Sequence, residues 1–314
     1  MIDIVKRSRM RNWEEVFQNW IKPASDTEDQ KIQNAIDAVK KALAKDAILN
    51  RFTKIYIHGS YRNNVNVRLN SDIDIGILYT GDTFGFQLPS GKTKHDYGLG
   101  NPNISYDDFR QNVSSVLYSH FGYASVTEGN KAFKLSSTTY RVDADIIPVL
   151  VHRSYNPDGS YICGVEFDNL NGTRIINWPE RLMDNEHWIN QHYENGVSKN
   201  TRTSRRYKSV VRILKRIMYE MADAGSTAAK DVSGFTIECL VWNVPDSLFD
   251  APTWSGMIQK IIAHLWNNTR TLESCNEWAE VSDLKYLFGS FGDSDRAIAH
   301  RFINEAWDYI GVSK

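Results

Sequence analysis

The segment HGSYRNNVNVRLNSDIDIGILY, residues 58–79, begins with a Gly-Ser turn and ends in a predicted strand that carries two aspartates. Isoleucine alternates with aspartate at the start of that strand, so the isoleucines share one face. Asp72 and Asp74 then share the other, although aspartate is depleted in strands and costly to bury. Taken alone, the D-I-D pattern is more typical of an amphipathic edge strand with a solvated polar face.

The composition of the chain is that of an ordinary globular protein. Of its 314 residues, 41% are apolar and 24% are charged, enough for one large domain or, as we expect, two lobes. The net charge is −1, from 37 basic and 38 acidic residues. Proteins that track long nucleic acids usually carry a basic surplus, because phosphate neutralisation dominates their affinity. We therefore expect no long nucleic acid as a partner.

Cysteine spacing and hydropathy argue against a disulfide-rich, a zinc-binding or a membrane-spanning protein. Cys163, Cys239 and Cys275 are far apart and form no C-x-x-C pair, which argues against a disulfide framework and against a zinc site. The N-terminal stretch MIDIVKRSRMRNW has no apolar core, and no apolar run approaches the roughly 18 residues of a membrane span. The sequence predicts a cytoplasmic protein with reduced, buried thiols and no membrane partner.

Hydrophobic spacing in the first half of the chain predicts helices and strands in alternation. A helix is predicted over 25–50, where Ser25 and Thr27 offer N-terminal caps with Glu28 and Gln30 three residues on. Its apolar residues Ile32, Ile36, Val39 and Leu43 recur at spacings of four, three and four. Another helix begins near Ser105, which can form a cap with Asp108. Strands are predicted at TKIYIH, DIDIGILY, KAFKLSS and YRVDADIIPVLVHR, the last interrupted near Pro148. This alternation predicts a mixed α/β sheet with helices packed against it.

After residue 155 the pattern changes. The stretches SYNPDGSYICG and FDNLNGTRIINWPE are turn-rich, polar and predicted to be irregular, and helical periods dominate from about residue 200. We therefore predict an α/β lobe over 1–155, whose N-terminal helix packs across both lobes, and a mainly helical lobe over 156–314.

Asp72 and Asp74 can act together on a cation. Two residues apart on a strand, they lie about 6.6 Å apart along the chain and can converge on one or two ions. Mg²⁺ prefers such oxygen ligands together with substrate phosphates, and paired ions can drive displacement at phosphorus. The preceding turn favours this interpretation, because Gly59 lets a backbone approach a ligand closely and Ser60 offers a hydroxyl. A short helix beginning at Tyr61 would direct its free N–H groups toward an anion.

A third carboxylate is expected from a neighbouring strand. RVDADIIPV supplies Asp143 and Asp145 on one face. The residues alone leave both candidates open, together with the alternative that both simply line a solvated strand.

Polar residues in the second half supply candidates for substrate contacts. Four basic residues are spaced three, four and three apart, which places them on one helix face. They are Arg205, Lys208, Arg212 and Lys215. A solvated face and a phosphate-binding face are about equally supported. Asn177, in IINWP, has an amide that can read a base edge, although a turn asparagine is the simpler interpretation.

The order G-S, D-x-D, then D-h-h-P resembles the DNA polymerase β-like nucleotidyltransferase superfamily. HGSYRNNVNVRLNSDIDI is similar to the segment G-S-Y-R-N-N-T-N-I-R…S-D-x-D of the bacterial cGAS/DncV-like nucleotidyltransferases (CD-NTases), with Val65 where threonine is common. INWP, ENGVSKNTRTSRRYKSVVRILK and GFTIECLVWNVPD resemble the helical half of that family. The resemblance covers roughly residues 25–310 and is closest to the compact members, which include cyclic UMP–AMP synthases.

The resemblance implies a fold and an activity. The fold is the two-lobed polymerase β-like one, with 1–155 as the catalytic lobe and 156–314 as the nucleotide-binding lobe. The activity is the synthesis of cyclic di- or oligonucleotides from ATP, UTP or other nucleoside triphosphates, with release of pyrophosphate. The family provides such signals in bacterial antiphage (CBASS) defence, where a downstream effector reads the product.

The resemblance also implies roles for individual residues. Two Mg²⁺ ions, which Mn²⁺ can replace, would be bound by the catalytic residues Asp72, Asp74 and Asp145. The D-I-I-P that begins at Asp145 favours it over Asp143. Gly59 and Ser60 would hold the triphosphate, and Lys215, assisted by Ser233, would reach it from the helical lobe. The full set of candidate substrate contacts is Gly59, Ser60, Asn177, Lys208, Lys215 and Ser233.

Two alternatives remain. One is a nucleotidyltransferase with a different acceptor, such as an RNA 3′ end, a protein hydroxyl or a small molecule. The other is a catalytically silent module that binds nucleotide without turning it over. Intact Asp72, Asp74 and Asp145 argue against the silent module, because nothing structural requires all three.

Overall fold

The structure of the protein is a computed structural model, and it describes residues 11–23, 25–67, 72–177, 180–183, 187–289 and 292–311. The chain folds into two compact units. The sheet unit comprises residues 24–62 and 68–191, and the helical unit comprises residues 1–23, 63–67 and 192–314.

The described strands form one mixed sheet of eight and a separate antiparallel pair. The sheet consists of β1 (Thr53–His58), β2 (Ile73–Tyr79), β3 (Gly85–Gln87), β4 (Val126–Glu128), β5 (Phe133–Leu135), β6 (Ala144–Tyr155), β7 (Tyr161–Asp168) and β8 (Arg174–Asn177). The pair consists of β9 (Glu180–Met183) and β10 (His187–Asn190).

Eleven α-helices are found within the described residues. They are α1 (Trp13–Trp20), α2 (Asp26–Leu43), α3 (Ala47–Phe52), α4 (Gly59–Arg62), α5 (Tyr106–Phe121), α6 (Gln191–Arg202), α7 (Tyr207–Asp223), α8 (Thr227–Asp231), α9 (Gly234–Trp242), α10 (Trp254–Asn268) and α11 (Gly292–Tyr309). None of the described helices is long and apolar enough to cross a membrane.

Strand β6 organises the sheet. The order of its main path is β1-β2-β6-β5-β4, with β2 parallel to β6 and antiparallel to β1. The predicted interruption at Pro148 is wrong, because β6 runs unbroken through that residue. On one side of β6, Pro148 pairs with Ile77 of β2. On the other side, it lies between residues 144–146, which pair with β5, and residues 150–155, which pair with β7. A proline lacks the N–H of a ladder bond, and an unpaired stretch of edge tolerates that loss.

Helices α2 and α5 cover one face of the sheet. Both begin with the predicted capping boxes, in which Ser25 and Glu28, and Ser105 and Asp108, bond each other's backbone N–H groups. The apolar stripe of α2 is buried with the isoleucines of β2 in one core. The spacing of four, three and four residues in that stripe therefore identified the buried face of the helix correctly.

The polar segment after residue 155 is not irregular. It forms β7, which pairs antiparallel with β6, and β8, which pairs with β7. Because these pairings continue the sheet, the division between the two units falls near residue 191, whereas the sequence suggested residue 155. The first helix, α1, belongs to the helical unit.

Helix α7 runs through the core of the helical unit, where Tyr207, Leu214 and Ile217 are fully buried. Val65 is buried in the same core, so an apolar side chain suits this position of the N-terminal motif. The buried guanidinium of Arg212 donates hydrogen bonds to the carbonyl oxygens of Ile21 and Asn64. These bonds fasten residues 63–67 to the helical unit.

Candidate active site

Strand β2 positions the aspartates of the N-terminal motif. Ile73, Ile75 and Ile77 are fully buried between the sheet and its covering helices. Asp72, just before the strand, and Asp74, its second residue, alternate with them and are half-buried. The register cannot slip by one residue without driving carboxylates into the core, so the alternation fixes the face on which they lie.

Strand β6 brings Asp145 beside Asp74. The strands are parallel, and the two aspartates are partners in the register, so their side chains stand on the same face. Ala144 and Ile146, which flank Asp145, are fully buried. Burial raises the pKa of the Asp145 carboxyl, and the negative charge of Asp72 raises it further. The structure thus gathers the three predicted catalytic aspartates at one end of β2 and β6.

Asp143, the other candidate, forms hydrogen bonds with backbone groups. Its Oδ1 accepts a hydrogen bond from the N–H of Ser137, and its carbonyl oxygen accepts one from the N–H of Ile73 at 3.0 Å. These bonds hold the turn that leads into β6 and fasten it to the start of β2. The geometry therefore favours Asp145 over Asp143 as the third member of the cluster.

Gly59 lies directly against the Asp74 carboxylate. A Cβ atom at this position would overlap an Asp74 carboxylate oxygen, and the backbone has a left-handed φ of +69°. Both features select glycine. Helix α4 begins at Gly59, two residues earlier than the predicted start at Tyr61, and is a single turn long. Ser60 follows in that turn, so the Gly-Ser step and the aspartates occupy one corner of the sheet unit.

The structure adds Lys134 to this corner. Its Nζ lies 3.2 Å from Asp72 Oδ2, and the two side chains keep 53% and 40% of their surface exposed. Lys134 is also the register partner of Asp145 across β5 and β6. Sequence reasoning missed it. The alternation of Phe133-Lys134-Leu135 does place it on a polar face, but not next to any particular carboxylate.

The donor set suits a divalent cation. Carboxylate oxygens are the ligands that Mg²⁺ and Mn²⁺ take in proteins. In the described part of the chain, no three His, Cys, Asp or Glu side chains are already spaced to hold an ion. Asp72 Oδ2 is the carboxylate oxygen that lies near the Lys134 ammonium.

A second polar cluster lies in the helical unit around Glu238. This glutamate is buried on α9, and its carboxylate lies 2.8 Å from His192 Nε2 and 3.7 Å from Lys215 Nζ. Burial alone would raise its pKa, but the hydrogen bond from His192 and the charges on α6 and α7 lower it. Neither Glu238 nor His192 was identified from the sequence, since neither falls in a recognisable pattern.

The predicted basic helix face is real only in part. Arg205 precedes α7 and has a left-handed φ of +65°, so it lies outside the helix. Lys208, Arg212 and Lys215 do share the helix, but they are buried rather than solvated. Lys208 Nζ lies 5.2 Å from the centre of the Tyr193 ring. The basic side chains of this face contact protein groups rather than water. Arg212 bonds backbone carbonyl oxygens, Lys208 lies against the Tyr193 ring, and Lys215 lies near Glu238.

Ser233 caps α9 and accepts a hydrogen bond from the backbone N–H of Thr236 at 2.9 Å. A Cβ at the neighbouring Gly234 would lie 3.4 Å from Lys215 Cε, so the lysine passes alongside the start of this helix. Ser233, which was predicted to assist Lys215, therefore lies close to it. Asn177 ends β8 in the sheet unit and is the register partner of Val165.

Comparison with known proteins identifies the family. Residues 194–311 match the cGAS/DncV-like nucleotidyltransferase C-terminal helical domain. The chain is 38% identical over 277 residues to the cyclic dipyrimidine nucleotide synthase CdnE of Cecembia lonarensis, covering 88% of this chain and 90% of the relative. It is 34% identical to the enzyme of the same name from Legionella pneumophila, over 95% and 98% of the two chains. The chain belongs to the cGAS/DncV-like nucleotidyltransferases.

A solved structure supports the same family. The CdnE cyclic dinucleotide synthase of Elizabethkingia meningoseptica, determined with GTP and Apcpp, has a TM-score of 0.74 and 32% identity over 95% of this chain and 99% of its own. The predicted CD-NTase family and polymerase β-like α/β fold are confirmed. The protein is a nucleotidyltransferase, and metal dependence is general in its family. The roles of its individual residues stay predictions.

Proposed function

We propose that this CD-NTase joins nucleoside triphosphates into a cyclic di- or oligonucleotide. The observation that carries the proposal is that Asp72, Asp74 and Asp145 lie on one face at the end of two parallel strands, beside Gly59. The relatives that match most of the chain are named as cyclic nucleotide synthases, which supports ring closure over transfer to another acceptor.

The three aspartates would hold two Mg²⁺ ions, for which Mn²⁺ can substitute. Metal bound there would neutralise phosphate charge and lower the pKa of the attacking hydroxyl. The chain itself has to orient the groups. A ribose hydroxyl of one nucleotide attacks the α-phosphorus of the other, the bond to the β-phosphate breaks, and pyrophosphate leaves. Asp145 would accept the hydroxyl proton. A second round on the linear product closes the ring.

Residues of the candidate set would position the substrates. Gly59 and Ser60 offer a close backbone approach and a hydroxyl to the triphosphate of the donor nucleotide. Lys208 and Lys215 would offer positive charge to phosphates, for which Lys215 would have to leave its buried pair with Glu238, and Ser233 lies near Lys215. Asn177 offers an amide to a base edge. Such positioning and charge neutralisation account for most of the catalysis of phosphoryl transfer.

In the cell, the product would act as a signal in antiphage (CBASS) defence and be read by a downstream effector. The cytoplasm is the expected location, because nucleoside triphosphates are plentiful there. Two relatives are named dipyrimidine synthases, so UTP and CTP are the first substrates to test.

The test is product formation from labelled nucleotides. Wild-type protein with Mg²⁺ or Mn²⁺ and the four nucleoside triphosphates, singly and in pairs, should give a small phosphatase-resistant product. Asp72→Asn combined with Asp74→Asn should reduce that product to background. Asp37→Asn, an exposed aspartate on α2, is the matched control and should leave it unchanged.

Other outcomes would contradict the proposal in distinct ways. Undiminished product from the double variant would rule out the metal assignment. Product that appears only after adding RNA, protein or a small acceptor would favour the external-acceptor alternative. Calorimetric binding of nucleotides by the wild type without release of pyrophosphate would favour a silent binding module.

A further inference from the structure

Lys134 is held toward the carboxylates by the sheet itself. Its neighbours Phe133 and Leu135 are fully buried, so the short strand β5 cannot turn over without burying the ammonium. Lys134 pairs in register with Asp145, which places both side chains on one face. From there the ammonium reaches across β6 to Asp72.

The charges around Lys134 indicate what it does. Its Nζ lies 3.2 Å from Asp72 Oδ2, and Lys134 is the register partner of Asp145. Without this ammonium, like charges would face one another at the end of β2 and β6, which disfavours their gathering. Lys134 therefore supplies a compensating positive charge beside these carboxylates.

The same pair is easily exchanged. Exposed ion pairs contribute little to stability, because water screens them and two long side chains must be ordered. A lysine ammonium is a strongly hydrated point charge, and several oxygens cannot coordinate it as they coordinate a divalent cation. A cation that is also bound by triphosphate oxygens has more ligands than the protein alone provides, so it can displace the ammonium from Asp72.

We propose that Lys134 is a positioning residue that occupies Asp72 until a divalent cation arrives and thereby weakens the binding of metal without nucleotide. This inference rests on the proposed function, because it takes Asp72 as a metal ligand. Its consequence is that the site loads its metal together with a nucleoside triphosphate. Free cation alone competes poorly with the ammonium.

The decisive measurement is Mn²⁺ binding without nucleotide, followed by electron paramagnetic resonance of the free ion at low ionic strength. Lys134→Gln should bind Mn²⁺ roughly two- to five-fold more tightly than wild type, as expected for the loss of one exposed competing pair. Lys134→Arg should restore wild-type affinity. Lys40→Gln removes a similarly exposed lysine, paired with Asp37 on α2, and should have no effect.

A double variant isolates the mechanism. In an Asp72→Asn background, Lys134→Gln should no longer change Mn²⁺ affinity, because the competition takes place at Asp72. The melting temperature of Lys134→Gln should be lower than that of wild type without metal and should rise more when Mn²⁺ is added. Unchanged or weaker Mn²⁺ binding by Lys134→Gln would overturn the proposal.

The experiment also separates this proposal from the proposed function. If wild type makes no cyclic product but Lys134→Gln still tightens Mn²⁺ binding through Asp72, the counter-ion role stands and the cyclase assignment fails. If product forms and Mn²⁺ binding ignores Lys134, the cyclase assignment stands and the counter-ion role fails.

Discussion

Two lysine–carboxylate pairs, one in each unit, differ mainly in their contact with water. Lys134 and Asp72 in the sheet unit keep 53% and 40% of their side-chain surface exposed. Lys215 and Glu238 in the helical unit keep 5% and 4%. An exposed pair can be exchanged for a ligand at little cost, whereas a buried pair becomes part of the fold.

The largest effect is expected from breaking the buried pair. Glu238→Ala would leave Lys215 and His192 buried without their shared partner, and we expect a loss of about 3–5 kcal/mol in unfolding free energy. Urea denaturation followed by circular dichroism measures it. Asp231→Ala breaks the exposed pair with Arg301 and should cost about 1 kcal/mol or less. Equal losses in the two variants would remove the distinction between the pairs.

A smaller effect is expected at the corner where Gly59 meets Asp74. Gly59→Ala combines a left-handed φ with an overlap on the Asp74 carboxylate, so we expect a loss of roughly 2–3 kcal/mol and of product formation. Gly98→Ala is the control, since its φ of +64° is similar but nothing lies within 4 Å of the added Cβ. It should lose about 1 kcal/mol and keep activity. Full activity in Gly59→Ala would mean that Asp74 can move without consequence.

Acidification should weaken the stabilisation that the buried Lys215–Glu238 pair provides. The pKa of Glu238 is lowered from its ordinary value of 4.5, so the folded protein binds this proton less readily than the unfolded chain. The stability that the Glu238 carboxylate contributes is present above pH about 4.5 and is lost as the pH falls through the pKa of Glu238 in the folded protein. Denaturation between pH 7 and 3.5 should therefore show a steeper loss below pH 4.5 in wild type than in Glu238→Gln. Parallel curves would contradict this.

The smallest effect is a gain. Burial and the charge of Asp72 oppose ionisation of Asp145, so Asp145→Asn should raise the metal-free melting temperature, by roughly 1–4 °C. The same variant should make no product, which would mark the carboxylate as kept for function at the expense of stability. Differential scanning fluorimetry without metal measures the shift, with Asp37→Asn as the control. A lower melting temperature would show that Asp145 stabilises the fold.

Local patterns predicted a large part of the sheet unit. The alternation of TKIYIH gave β1 at its observed bounds, and the two capping boxes gave the starts of α2 and α5. Segments whose pattern is polar were misread, because β7 becomes a strand by pairing with β6, and β8 by pairing with β7, rather than through their own periodicity. The basic spacing on α7 was read correctly for Lys208, Arg212 and Lys215 but not for Arg205, which precedes the helix, and the burial of that face was not predicted.

The sequence by itself determined which residues share a face and which family the chain resembles, because strand and helix periods, caps and motif order are properties of neighbouring residues. Tertiary structure decided the rest. It set Asp74 against Asp145, brought Lys134 to Asp72, and buried Lys215 beside Glu238. Those contacts join residues that are 23 to 71 positions apart, since 238 − 215 is 23 and 145 − 74 is 71. Strand order and helix packing bring such residues together, and no local period encodes them.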